Sequence, residues 1–169
     1  MNKFPYDTFR RRALRKKKKL TLFLKKLAKT KDRKLLKTVA EVDKDTWKEV
    51  QCLDCANCCK KMTPTYNRND ISRISKHFNM TSKQFYDKWL TKDDAGDTIN
   101  KSTPCQFLGK DHKCTIYSIR PKDCAEFPHF LHKDFRYQAQ EKVYASNMVF
   151  CPATLIFVEK LEARIKAES

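Results

Sequence analysis

Cys52-Leu-Asp-Cys55-Ala-Asn-Cys58-Cys59 places four cysteines within eight residues, in the pattern C-x2-C-x2-C-C. Four more follow at Cys105, Cys114, Cys124 and Cys151. Thiolates are ligands for zinc and for iron–sulfur clusters, each commonly taking four of them. The set therefore divides in three ways: two four-ligand sites, one cluster with spare cysteines, or one polynuclear centre. A regular backbone does not readily aim both Cys58 and Cys59 at one ion. They are expected to divide between two sites, or one is buried as a small hydrophobe. Lys60 and Lys61 follow directly, and positive charge beside thiolates lowers their pKa. The spacing is neither the ferredoxin run C-x2-C-x2-C-x3-C-P nor the paired knuckles of a zinc ribbon.

The compartment bears on the choice between metal and disulfide. The start, Met1-Asn-Lys-Phe-Pro5, leads into basic residues without the apolar core and cleavage site of a secretory signal. No run approaches the roughly 18 to 20 apolar residues of a membrane span. A cytoplasmic location is expected, where thiols stay reduced and metal is favoured over disulfides. The bound metal is expected to be zinc or iron, an iron–sulfur cluster included.

Outward from the cluster, Met62-Thr-Pro64-Thr-Tyr66 reads as extended because of its proline. A short helix follows, capped by Asn69 or Asp70, with Ile71, Ile74 and Phe78 on one face. Thr81 and Gln84 form a capping box, and the helix behind them turns Phe85, Trp89 and Leu90 inward. Residues 91–104 read as a surface loop or small hairpin, because Asp93-Asp94-Ala-Gly96-Asp97 lacks the spacing of a calcium loop. Gly109-Lys-Asp-His112-Lys is a turn that brings Cys105 and Cys114 together in a hairpin or knuckle. Arg120-Pro121 opens a helical turn that carries Cys124. Residues 134–168 read as one or two helices with Val143, Met148, Val149, Leu155, Ile156, Val158 and Leu161 as core candidates. Cys151-Pro152 interrupts them, and the proline opens the last helix.

Toward the N-terminus, residues 8–31 read as helical. Leu20, Phe23, Leu24, Leu27 and Ala28 make one apolar stripe at spacings of three and four. A second helix, about 33–50, presents Leu35, Leu36, Val39 and Val42. The predicted fold class is mostly α: a small cysteine-rich, metal-centred domain with short loops or a hairpin, flanked by N- and C-terminal helices. Residues 1–45 are expected to form a basic helical arm and residues 46–165 the cysteine-cluster domain.

The formal charge is +17, and it is uneven: residues 1–40 hold 16 of the 37 basic residues but 2 of the 20 acidic ones. A basic amphipathic helix either packs its stripe on the main domain or binds a polyanion. The anionic partner would be a nucleic acid or a membrane surface, held through residues 8–37. With only Gly96 and Gly109 in the chain, glycine-rich phosphate loops are excluded. No serine–histidine–acid set or paired carboxylates stand out. His112 reads as a turn residue, and His129 with His132 as a weak alternative ligand pair. Tyr117 is expected to pack beside the centre, and Arg120 to donate to sulfur or carbonyls.

These residues resemble the YkgJ-like cysteine-cluster family, a zinc- or iron-chelating domain. The match runs through Cys52-x2-Cys55-x2-Cys58-Cys59, Asp70-Ile71 with Arg73, Pro104-Cys105-x-Phe107-Leu108, Cys114-x-Ile116-Tyr117-x2-Arg120-Pro121-x2-Cys124 and Phe127-Pro128, over about residues 50–130. The resemblance implies metal ligation by Cys52, Cys55, Cys58, Cys59, Cys105, Cys114 and Cys124, with Cys151 as a late member. A similar pattern occurs in flagellin lysine N-methylases, so it also admits an iron–sulfur redox or protein-modification enzyme. Many members carry a glycine inside the first motif. Here Ala56-Asn57 stands instead, and asparagine tolerates positive φ.

Overall fold

The stripe of Leu20, Leu24 and Leu27 needs a partner surface, and the C-terminal third of the chain supplies it. A computed structural model describes residues 5–31, 34–131, 135–140 and 143–168. The chain forms two compact units: Cys52–Phe127, and the segment up to Gln51 together with that from Pro128 onward.

The second of these is helical. Helix α1 (Tyr6–Ala28) buries Phe9, Ala13, Leu20, Leu24 and Leu27. Helix α2 (Leu35–Trp47) buries Leu35, Val39 and Val42, which share one face. Leu36, expected on that face, is 49% exposed, because one residue further turns the side chain a quarter-circle away. Helices α8 (Phe135–Gln140) and α9 (Val143–Asn147) precede α10 (Pro152–Ala167), in which proline holds the first position as predicted. Helix α1 packs on α8, α9 and α10, and α2 packs on α10.

Met148, Leu155, Val158 and Leu161 are buried as expected, whereas Val143, Val149 and Ile156 are only partly covered. The largest side chains in this core are aromatic. Phe130 stacks on Phe157 with ring centroids 3.9 Å apart, and Phe135 and Tyr144 close around them. Arg12 and Lys16 of α1 reach Glu159 of α10 at 2.5 and 2.6 Å, and Lys19 reaches Glu162 at 3.3 Å. Partly solvated pairs of this kind contribute little each, about 0–1 kcal/mol, so the apolar seam carries the packing.

The cysteine-bearing unit begins with α3 (Cys52–Cys55) and α4 (Asn57–Lys61). Next come α5 (Arg68–His77) and α6 (Ser82–Trp89), then strands β1 (Leu90–Lys92) and β2 (Thr98–Asn100), paired antiparallel with Leu90 opposite Asn100. The turn between the strands is closed by Asp93 Oδ1, which accepts from the N–H groups of Ala95 and Asp97. The predicted Thr81–Gln84 capping box is present. The other cap differs from expectation: Asn67, not Asn69 or Asp70, is the N-cap, and Asp70 closes a reciprocal box from the third position. Phe78, Phe85, Trp89 and Phe107 form a tight aromatic cluster over Ile74, Leu90 and Ile116. Beyond β2, a 3-10 turn (Tyr117–Ile119) leads into α7 (Lys122–Glu126).

Candidate metal centre

The first motif is bent by one residue. Ala56 has φ 50 and ψ 16, in the left-handed region, between α3 and α4. Asparagine at 57 was the expected carrier of this conformation, but Asn57 is already helical. The kink starts α4 in a new direction, so Cys58 and Cys59 enter it together with their Sγ atoms 3.9 Å apart. A tetrahedral ion with sulfurs at about 2.3 Å spans an edge of roughly 3.8 Å. Adjacency in the chain therefore does not by itself keep this pair from one ion.

The second motif is tied to the first through the backbone. The N–H of Cys105 donates to the carbonyl of Cys59 at 2.8 Å. Cys105 and Cys114 then stand on a knuckle. Leu108 bridges Cys114, and the Thr115 N–H donates to the Phe107 carbonyl at 2.9 Å. The turn is crowded at Gly109, where an added Cβ would lie 2.7 Å from Asp111 Oδ1 and 3.2 Å from the Lys113 carbonyl oxygen. Cys124 is carried by α7, which is fixed to the rest by Asp123 accepting from the Thr65 N–H at 2.9 Å.

Cys52, Cys58, Cys59, Cys105, Cys114 and Cys124 all line one cavity of about 110 Å3, together with Tyr66, Tyr117, Arg120 and His112. Cys55 ends α3 and does not line it. Cys151 stands in the helical unit as the N-cap residue of α10, packed against that core, with its thiol pushed up by burial. Among the described residues, no three or more His, Cys, Asp or Glu side chains already close on a point as ligands of one ion. The sulfurs face a shared space instead.

Their electrostatics show how tightly they are coupled. The Cys59 thiol is lowered from 9.0 to about 7, chiefly by its hydrogen bond with Cys58, against burial and with help from Lys60. Burial is the main cause that pushes Cys105, Cys114 and Cys124 up, and the negative charge of Cys59 adds to it at all three. Cys124 also feels Asp123, Cys105 and Cys114. Backbone donors relieve two of the sulfurs, from Phe107 at Cys105 and from Ile116 at Cys114. Thus Cys59, Cys105, Cys114 and Cys124 form one electrostatic group of soft donors, which fits a thiophilic metal.

The flanking residues are placed as follows. Arg120 lies 4.0 Å over the Tyr117 ring, donates to the Tyr117 carbonyl at 2.7 Å, and its charge lowers Cys114. His112 occupies the turn with φ 64 and reaches the cavity wall. His129 lies in the helical unit, where its carbonyl accepts from the Tyr144 hydroxyl, and His132 lies outside the described residues. Two residues near the sulfurs escaped the sequence reading. Tyr66 and Asn100 are buried at 5% and 4% exposure, joined by a 2.7 Å hydrogen bond from the phenol to Asn100 Oδ1. The only signal for Asn100 was a polar residue at an inward position of a short strand.

A family model for the CxxCxxCC domain, described as a "putative zinc- or iron-chelating domain", matches residues 51–152. No curated protein and no solved structure matches the chain.

Proposed function

The chain belongs to the CxxCxxCC family, and from that premise we propose that Cys59, Cys105, Cys114 and Cys124 hold its metal, with Cys52 and Cys58 as further thiolates on the same wall. The observation that carries this reading is that these four thiols line a single cavity, where the charge of Cys59 raises the other three. Cys105, Cys114 and Cys124 would ionise despite their burial beside a bound cation, so binding would release protons. Cys55 and Cys151 are not needed for it.

Six thiols exceed the four that close a structural zinc site, and about 110 Å3 exceeds the room one ion needs. Both favour a centre of more than one metal ion, with an iron–sulfur cluster ahead of a single zinc. The protein's own groups then have defined tasks. The Phe107 and Ile116 amides and Asn100 donate toward sulfur, Arg120 offsets negative charge, and Tyr66 with Phe107 keeps water from one side. The test is anaerobic purification followed by metal and sulfide analysis and absorption spectroscopy. Iron and sulfide in matched amounts, lost in Cys124→Ser, are expected. A colourless protein with one zinc per chain would overturn the polynuclear form. Unchanged metal content in Cys59→Ser and Cys124→Ser would overturn the site.

A second reading concerns α1. Its uncompensated positive charge supports binding of an anionic partner through residues 8–37, either a nucleic acid or a membrane surface.

A further inference from the structure

The basic run of α1 is not one uniform surface. On the flank facing α10, Arg12, Lys16 and Lys19 are engaged by Glu159 and Glu162. Phe9, Ala13, Leu20, Leu24 and Leu27 fill the core side. Opposite them, Arg11, Arg15, Lys18 and Lys25 recur at spacings of four, three and seven, which keeps them on one outward line. Among the described residues none of these four has an ion-pair partner, and Asp7 is the sole acid in α1. The same outward face carries Leu14 and Leu22, which are 52% and 55% exposed.

We propose that this face of α1 docks on an anionic lipid bilayer surface. The proposal rests on the anionic-partner reading of residues 8–37, narrows it to one partner, and is independent of the metal. The two leucines decide between lipid and nucleic acid. A phosphate backbone rewards the cations but offers nothing to exposed leucine. A bilayer rewards both, taking cations at the headgroups and leucines at the acyl boundary. Binding of single-stranded nucleic acid would call for aromatic rings to stack on bases. The described aromatics of α1 are spent elsewhere: Phe9 is buried, Phe23 packs on the core, and the Tyr6 hydroxyl donates to the Val149 carbonyl. Among the described residues no helix is long and apolar enough to cross a membrane, so the contact is peripheral.

The experiment is vesicle co-sedimentation of the full chain. Phosphatidylcholine vesicles are compared with vesicles about one-third phosphatidylserine, and a short RNA duplex and a single-stranded RNA serve as competing probes. Binding to the anionic vesicles and not to the phosphatidylcholine vesicles is expected, and it should weaken as salt rises from about 0.05 to about 0.5 M. Leu14→Gln with Leu22→Gln should lower vesicle partitioning by about tenfold and leave RNA binding unchanged. Arg15→Glu with Lys18→Glu should abolish vesicle binding, with circular dichroism confirming that the helices persist. Vesicle binding unaffected by the leucine pair overturns the proposal. RNA binding without vesicle binding overturns it too, but leaves the anionic-partner reading standing. Binding to neither probe removes both.

Discussion

The backbone N–H of Cys105 donates to the carbonyl of Cys59, and the charge of the Cys59 sulfur helps to raise the Cys105 thiol. Two cysteines far apart in the chain are thus joined through main-chain atoms. Substituting either sulfur leaves this tie intact, so the chain's grip on the centre and the centre's chemistry can be probed apart.

Cys59 is set to ionise ahead of Cys105, Cys114, Cys124 and Cys151. In metal-free, reduced protein its thiol lies at about 7 against an ordinary 9.0. At pH 7 that raises the thiolate fraction by about fiftyfold, while the lower basicity costs about eightfold in nucleophilicity. The net expectation is alkylation roughly sixfold faster than at an ordinary thiol, with a rate that rises through pH 7 and levels above it. Mass-spectrometric mapping against pH checks this. In Cys58→Ser the inflection should move, because the hydrogen bond from Cys58 is the largest cause of the shift.

Asp70 ties α5 and its cap to the start of α7 from a position 2% exposed. Its carboxylate accepts from Arg73 at 2.7 Å, from the Lys122 N–H at 3.2 Å and from the Asn67 N–H at 3.4 Å. Arg73 in turn donates to the carbonyls of Ile119 and Arg120 at 2.5 Å each. Asp70→Ala removes the acceptor and leaves these donors to water or to nothing. A loss of roughly 2–4 kcal/mol is expected, moderated by the partial exposure of Arg73. Urea unfolding followed by tryptophan fluorescence measures it. Asp70→Asn should cost less, since it keeps one acceptor for the cap.

What the residue order made legible was local. Leu20, Leu24 and Leu27 announce a buried helical stripe because their spacing matches one turn, and Thr81–Gln84 announces a cap because both partners lie within it. Gly109 and His112 mark the knuckle for the same reason. The Phe130–Phe157 stack and the Tyr66–Asn100 bond join residues with no periodic relation, so nothing local predicts them. Choices between neighbours were also hidden. Leu36 and Leu35 are equally apolar, yet only the helix phase set by Val39 and Val42 decides which is buried. At the metal motif, the soft donors were visible as residue types, while their convergence on one cavity depends on the Ala56 kink and the Cys105–Cys59 tie.

That kink is itself a test. A left-handed residue with a Cβ costs about 1–2 kcal/mol relative to glycine, partly offset by the 0.5–1 kcal/mol that glycine loses in chain entropy. Ala56→Gly should therefore stabilise the cysteine-bearing unit by up to about 1 kcal/mol and leave its metal content unchanged. Ala56→Val should destabilise it by more than that and lower metal occupancy, because a branched side chain resists φ 50 and projects into the cavity wall. Equal stability of the three proteins in thermal melts would mean that the turn is not left-handed in solution.

Asn100 offers the sharpest separation of scaffold from chemistry. Its Oδ1 accepts from the Tyr66 hydroxyl at 2.7 Å and from Gln106 Nε2 at 2.9 Å, while its backbone N–H donates to Thr63 Oγ1. Its Nδ2 is buried without a partner at ordinary hydrogen-bond distance, yet the side chain holds the Cys105 thiol down. Asn100→Asp retains the acceptor and replaces the donor with a second oxygen. Tyr66 and Gln106 keep their bonds, but Cys105 loses a favourable dipole and gains a negative neighbour. Alkylation of Cys105 in metal-free protein should shift to higher pH, and stability should fall by about 1–3 kcal/mol from the buried polar mismatch. Asn100→Ala should cost at least as much in stability, through the orphaned phenol and amide, with a smaller shift at Cys105. If Cys105 alkylates with the same pH profile in all three proteins, Asn100 is scaffold alone and the sulfur depends on the Phe107 amide for its only donor.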